Sequence, residues 1–518
     1  MRTALSQKRG LMRLHKRRAA WLATVLGLAT AAAVTGTGAA TAGAAALGHA
    51  ATPRGPSLKL IITQKTVTVP KPKRGPEFID PGIWVSAVGS DLRLNVQRAS
   101  YTKPVTITQI IKTPWGTTQR RPLSASLLDG WNGLKDFFLL TIRNSHGRVV
   151  ATQNLTFCPD AFDTERASPS SPPADPYPQQ CSAFDPFPLG EVWGLTQGWA
   201  VNPSENFCFF RCPRPPLVNL PLGKYRATET ITAPYTKLFH ITAADATATV
   251  NLKVVKATGC PPPGCVAAHR GTRAGHLPQL PHVPTLANPP QAALPQLTAL
   301  PSWGIRTTHT KAGLDVLSFS ATVWVGGNSP LDVEGFRHPG SPVMKAYQYF
   351  WRNGKVIGRA PAGTMGFEKG RGENEWHFEQ FARYRLLTAS KKLAVISNKV
   401  GFCIAPTDPV DMLIRSALWR PPFIGLGGAC GSPSALWVQE YLPDGWGDTY
   451  VQTLAEQAFD ITNVPNGTYY IEITANPLHK LHELSTVGNT SLRKIILGGT
   501  KGQRTVKVPA WHGIDPEP

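Results

Sequence analysis

The chain has 518 residues, 42% of them hydrophobic and 17% charged, and a formal net charge of +22. That length and apolar content exclude a disordered or fibrous chain and predict two or three globular domains. The basic balance reads first as a solvated basic surface, with anionic partners such as cell-wall polymers or acidic proteins as the functional alternative. The cations are scattered and no nucleic-acid motif accompanies them, so nucleic acid is not an expected partner.

Seven cations, Arg2, Lys8, Arg9, Arg13, Lys16, Arg17 and Arg18, open the chain without an acid, which leaves +15 of the +22 for the rest. Trp21 to Val34 is apolar, and Ala40-Thr41-Ala42 fits the small-x-small cleavage rule. Residues 1–42 therefore read as a signal peptide. A secreted protein is predicted, extracellular or cell-wall associated. No later segment is apolar for long enough to span a membrane, so no span is expected after signal removal.

Residues 43–57 read as a flexible lead. From residue 58 short runs alternate apolar and polar: Leu58 to Ile62, Thr66 to Val69, Leu92 to Val96, Val105 to Thr108, Phe137 to Ile142 and Val149 to Phe157. Period-two runs separated by Gly, Pro and Asn predict antiparallel strands, and their number predicts an immunoglobulin-like β-sandwich over 58–257. Residues 158–218 break the pattern with Pro, aromatics and four of the eight cysteines. They read as a disulfide-pinned insertion packed on the sandwich. Its aromatic group, Trp193, Trp199, Phe207, Phe209 and Phe210, reads first as packing, with a ligand platform as the alternative.

An even count of cysteines in an exported chain predicts disulfides. Sequence proximity pairs Cys158 with Cys181, Cys208 with Cys212, Cys260 with Cys265 and Cys403 with Cys430. Their spacings match no zinc pattern. Residues 258–293 read as a Pro-rich linker, because proline removes backbone donors and favours extended chain. There is also an internal echo. Leu220-Pro221-Leu222-Gly223-Lys224-Tyr225 and Val464-Pro465-Asn466-Gly467-Thr468-Tyr469 each read as a turn entering a strand.

The second half carries more specific motifs. Trp446-Gly447-Asp448-Thr449-Tyr450 is followed by Phe459 to Tyr469, then Asn476-Pro477, Glu483 and Asn489. Upstream lie Lys399-Val400-Gly401-Phe402-Cys403, Phe381 to Leu387, and the opening Leu294-Pro295-Gln296-Leu297. In this order the segments resemble the lysyl oxidase catalytic domain over 294–508, about 215 residues. The resemblance implies an all-β protein: the N-terminal sandwich, a C-terminal lysyl-oxidase-like domain, and a tail over 509–518.

The resemblance also implies an activity. Copper-dependent oxidation of a primary amine, on a protein lysine or a small molecule, would give an aldehyde and peroxide. The cofactor would be a quinone made from Tyr450 and Lys399, with Asp448 as the candidate base. Cys403 and Cys430 match a family disulfide near the lysine. The family's three copper histidines fall on Glu373, Glu375 and His377, so one imidazole and two carboxylates are predicted to share a strand face. In an ideal strand the outer two lie roughly 13 Å apart. Imidazole suits copper, whereas carboxylates favour manganese or iron. A second-ion loop keeps Glu483 and Asn489, but Ser485, Gly488 and Gln296 replace acidic or amide ligands. Calcium wants six to eight oxygens, so weak calcium binding or none is expected. The alternative to an enzyme is a non-catalytic extracellular binding protein that kept the fold.

Overall fold

The computed structural model describes residues 55–113, 116–181, 185–204, 217–257, 283–370, 373–422 and 430–517, with the side chains of 370 and 373 excepted. The predicted signal peptide, most of the predicted lead and linker, Phe207, Phe209, Phe210, Cys208, Cys212, Cys260 and Cys265 lie outside the described residues. What is described is almost entirely β, as predicted, with one short α-helix, Ala233–Leu238. Two disulfides are present among the described residues, Cys158–Cys181 and Cys403–Cys430.

In the first half the alternating runs become strands. Thr66–Lys71 pairs in parallel with Thr247–Lys256, and the sheet continues through Gly223–Ile231 and Leu134–Asn144 to Val149–Phe157. Leu140, Ile142, Ala227, Val250, Leu252 and Val254 fill its inner face. A second sheet joins Gly190–Leu195, Leu92–Gln97, Thr106–Lys112 and Thr118–Leu123, and a third joins Ser57–Ile62, Ile83–Val88, Trp199–Val201 and Thr164–Arg166. The Pro-rich segment is thus pinned by Cys158–Cys181 at its start and woven into both sheets at its end. Trp193 lies in the core and donates through Nε1 to Glu191, so its role is packing.

The two echoing turns share one detail. Tyr225 Oη donates to Pro221 O at 2.8 Å, and Tyr469 Oη donates to Pro465 O at 2.9 Å. Each tyrosine spends its hydroxyl on the carbonyl four residues back and buries its ring. That bond closes corners where β-sandwich strands change direction.

The second half has two six-stranded sheets and one five-stranded sheet. Period two governs the burial: in Gly467–Ala475, Tyr469, Ile471, Ile473 and Ala475 enter the core while the alternate residues face outward or pair across the sheet. The end of the predicted linker is docked. Leu286 N bonds Arg359 O, Arg359 N bonds Pro284 O, and Leu286 covers Gly358 so closely that a Cβ there would meet it at 2.5 Å.

A polar and aromatic seam joins the halves. Leu189 N and Gly190 N both donate to Val410 O, Met412 N donates to Gly190 O, and Gln180 Nε2 donates to Thr407 O at 2.5 Å. Asp185 and Asp408 are buried there, and Asp185 N donates to Asp408 Oδ1 at 3.4 Å. The predicted tail closes the seam: Trp511 packs on Tyr101 and Phe187 from the first half, and Glu517 accepts from Ile305 N and pairs with the buried Arg493.

Candidate active site

Trp446–Tyr450 pairs with Asp315–Gly327, placing Val323 opposite Asp448 and Ala321 opposite Tyr450. Alternate residues share a face, so Asp448 and Tyr450 point the same way into the core. All five residues of the strand are buried. Lys399 arrives from the connection between Leu393–Ile396 and Gly401–Phe402 and is only 5% exposed. Its Nζ lies 4.9 Å from the centre of the Tyr450 ring and 5.8 Å from that of Phe402. Two residues 51 positions apart in the chain are therefore neighbours in the core.

The backbone at Cys403 fixes the Tyr450 hydroxyl. Cys403 N donates to Tyr450 Oη at 2.5 Å, and Tyr450 Oη lies 3.2 Å from Cys403 O, to which it donates. The ring packs edge-on against Phe402, which in turn meets Tyr384. Burial, with Asp448, Glu440 and Glu375 nearby, pushes the Tyr450 phenol well above its ordinary pKa. Tyr450 is therefore a neutral phenol at neutral pH.

Asp448 is fully enclosed, and burial raises its pKa well above the ordinary carboxyl value. The Ala405 amide and the Lys399 ammonium oppose that shift. Neither carboxyl oxygen has a partner at hydrogen-bonding geometry. Glu440, on Trp437–Leu442, is a second buried acid facing the same space. Its Oε2 accepts from Ile404 N at 3.0 Å, its Oε1 has no partner, and burial raises its pKa too. The sequence reasoning missed Glu440. Its only local signal is a lone acid in an otherwise apolar and amide-bearing strand.

Of the predicted metal set, Glu375 and His377 come together on Glu373–Glu379, with Nε2 and Oε1 3.3 Å apart. The His377 ring lies under Gly401, where a Cβ would meet His377 Cβ at 2.9 Å, so this position accepts only glycine without a shift. His377 Nδ1 is buried without a partner. The Glu373 side chain lies outside those described, and no three His, Cys, Asp or Glu side chains converge as a metal site among the described residues. Of the predicted set, one imidazole and one carboxylate are therefore placed together among the described side chains.

The Cys403–Cys430 disulfide ties this site together. Cys403 holds Tyr450, and Cys430 O accepts from Trp376 N, next to His377. Replacing both cysteines by alanine is expected to cost about 3 kcal/mol in urea unfolding. Removing Cys158 and Cys181 should cost a similar amount. Only the first pair should alter the near-ultraviolet circular dichroism from Tyr450 and Phe402; equal spectral changes in both variants would contradict this coupling.

The second-ion loop is cross-linked by an amide. Glu483 Oε1 accepts from Asn476 Nδ2 at 2.7 Å and from Asn489 Nδ2 at 2.8 Å. Gln296 Nε2 reaches three carbonyls, Ser485 O at 2.7 Å and Leu297 O and Val487 O at 3.1 Å. A donor group thus occupies the focus of oxygens where a cation would sit. Gln296→Ala should lower stability by about 1–3 kcal/mol, because it uncovers those carbonyls. The denaturation midpoint of the parent chain should be the same with calcium or with chelator, and a chelator-dependent midpoint would refute this account of the loop.

No protein-family model matches the chain, and no curated protein matches it. Among the described residues no helix is long and apolar enough to cross a membrane.

Proposed function

We propose that this protein is a secreted, lysyl-oxidase-like amine oxidase. The observation that carries the reading is the buried approach of Lys399 Nζ to the Tyr450 ring, with Asp448 on the same face as Tyr450. Side-chain movement would bring the Lys399 amine to the Tyr450 ring, and molecular oxygen would be the oxidant that turns the ring into a quinone to which the amine can add, with reoxidation of the adduct by a second oxygen. A quinone formed from them would offer a substrate amine an electrophilic carbonyl and a sink for two electrons. Asp448 would take up or release the proton at the amine nitrogen and neighbouring carbon, burial having raised its pKa above the ordinary carboxyl value. After burial, Asp408 and Glu375 also oppose ionisation of Asp448, and Asp448 in turn opposes ionisation of the buried Glu440. The apolar wall of Phe402 and Tyr384 excludes water from the cross-linking position. His377 and Glu375 are the described part of any metal set. The tyrosine corner and the parallel strand pair Thr66–Lys71 and Thr247–Lys256 support an immunoglobulin-like sandwich for residues 58–257.

A non-catalytic extracellular binding protein is the second reading. The His377–Glu375 contact favours it, because the carboxylate occupies the ring nitrogen a metal would use. One experiment separates the two. The full chain is expressed with copper and oxygen, stained for redox-cycling quinone, and assayed for peroxide on adding a primary amine. A stain and amine-dependent peroxide support the oxidase; the absence of both supports the binding protein. Metal analysis of the same sample, with manganese or iron at one per chain and no copper, would move the reading to a different metal.

A further inference from the structure

We propose that the N-terminal half carries a binding cleft for an acidic polysaccharide, separate from the Lys399–Tyr450 site. The cleft is built on the sheet of Gly190–Leu195, Leu92–Gln97, Thr106–Lys112 and Thr118–Leu123. Register aligns four residues across it: Gly194 opposite Arg93, Arg93 beside Ile110, and Ile110 opposite Arg120. Lys112 and Asp91 extend the same face by the period of two. A cavity of about 210 Å³ opens here, lined by Ser90, Asp91, Arg93, Lys112, Tyr177 and Gln197, with Ile110 as its apolar floor.

The site is held in place from below. Tyr177 lies flat on Gly194, where a Cβ would meet its ring at 2.1 Å, and stacks on Trp419 at 5.9 Å and 10°. The Arg93 guanidinium sits 4.6 Å over Trp419, and its Nε donates to Asn95 Oδ1 at 3.3 Å. The fork is thereby fixed by stacking rather than by an acid, which leaves its charge available to a ligand. Arg120 is close enough to lower the Arg93 pKa, after burial, so positive charge is concentrated on this face. The single acid, Asp91, accepts from Gln197 N at 2.9 Å. Two lining cations, Arg93 and Lys112, with Arg120 near Arg93, outnumber the one lining acid and suit an anionic ligand, while Asp91, Ser90 and Gln197 suit its hydroxyl groups.

A second cavity, of about 410 Å³, adjoins the first at Gln197, which lines both. Its polar lining is Lys59, Ser86, Ser168, Ser170, Ser171 and Gln197, with no carboxylate. A hydroxyl-lined groove with cations spaced along it fits a chain of hydroxylated rings bearing carboxylates, and an isolated small anion would use only one end of it.

The test is calorimetric titration of the full chain with soluble polygalacturonate, with neutral dextran, with inorganic phosphate and with a DNA oligonucleotide of matched charge. Polygalacturonate should bind, and more weakly as salt rises. Dextran should not bind. Lys112→Glu should weaken binding about tenfold or more, and Gln197→Ala a few-fold. Both side chains are exposed, so folding should be unaffected. Arg93→Gln should weaken binding at least as much as Lys112→Glu, with its fold checked by circular dichroism. The proposal is overturned if polygalacturonate does not bind, or if Lys112→Glu and Gln197→Ala bind as the parent does. Phosphate displacing the polymer at equal concentration would reduce the cleft to a simple anion site and overturn the polysaccharide assignment. Equal affinity for DNA would overturn it in favour of nonspecific polyanion binding. None of these outcomes depends on amine oxidation, so this proposal and the oxidase reading can fail separately.

Discussion

Lys399→Ala is expected to abolish the quinone stain and to reduce amine-dependent peroxide release to background. Lys399 is the one described lysine whose Nζ approaches the Tyr450 ring, at 4.9 Å, and alanine leaves the ring with no amine to join. Tyr450→Phe should also lose the stain, for a different reason. It keeps the packing against Phe402 but removes the oxygen that must become a carbonyl, and it leaves Cys403 N without its acceptor. That last change should cost about 1–3 kcal/mol of stability. Asp448→Asn preserves shape and should retain some stain while slowing turnover by about 100-fold or more, the usual contribution of a positioned acid or base. A stain that survives Lys399→Ala would sink the oxidase reading outright, since no other described lysine can replace it.

Thermal unfolding is expected to come earlier at pH 8 than at pH 5.5, by roughly 5–10 °C. Several carboxyls are buried with their pKa values raised: Asp185 to about 7, Asp408 to about 6, Asp444 to about 7 and Glu229 to about 8, in each case chiefly by burial. Asp448, Glu440 and Asp160 shift the same way. In the unfolded chain these groups ionise near 4, as ordinary carboxyls do. Between that value and the folded one, the native state holds more protons than the unfolded state. Stability therefore falls as pH rises through the window and levels off above about 8. Exposed carboxylates stay ionised at pH 5.5, so they add little to the slope. Glu229 isolates the effect: it is fully buried and neither oxygen has a partner. Glu229→Gln should stabilise the protein at pH 8.5 by about 2–4 kcal/mol and change little at pH 5.5. A flat profile of melting temperature against pH, or one unaffected by Glu229→Gln, would contradict the buried-acid account.

Strands were legible wherever one face meets a core. Leu92-Arg93-Leu94-Asn95-Val96 alternates because its apolar side chains point inward, and that is visible in the letters. The short strands Gly190–Leu195 and Trp199–Val201 were not, because both faces of the first are covered and its run shows no alternation. The site was legible only in part. Spacing alone does not bring Lys399 to Tyr450; the motif order did, and the register of Trp446–Tyr450 supplies the physical reason. Glu440 went unread, and Gln296 was read only as a replaced ion ligand, because their roles depend on what lies across a sheet or loop. No property of Gln296 in its own segment reveals three carbonyls arriving from elsewhere. The seam between the halves was also invisible, since it is made of backbone groups and single buried acids that carry no pattern.

The contacts of Trp511 and Glu517 bear on the order in which the molecule can be completed. A ribosome delivers residues 58–257 long before residues 511–517 exist. Until those last residues emerge, Tyr101 and Phe187 lack the indole that covers them, and the buried Arg493 lacks its carboxylate. The first half can form its sheets early, but its seam stays uncovered until residues 511–517 follow. A bulky fusion placed just after residue 510 would hold the nascent protein in that unfinished state.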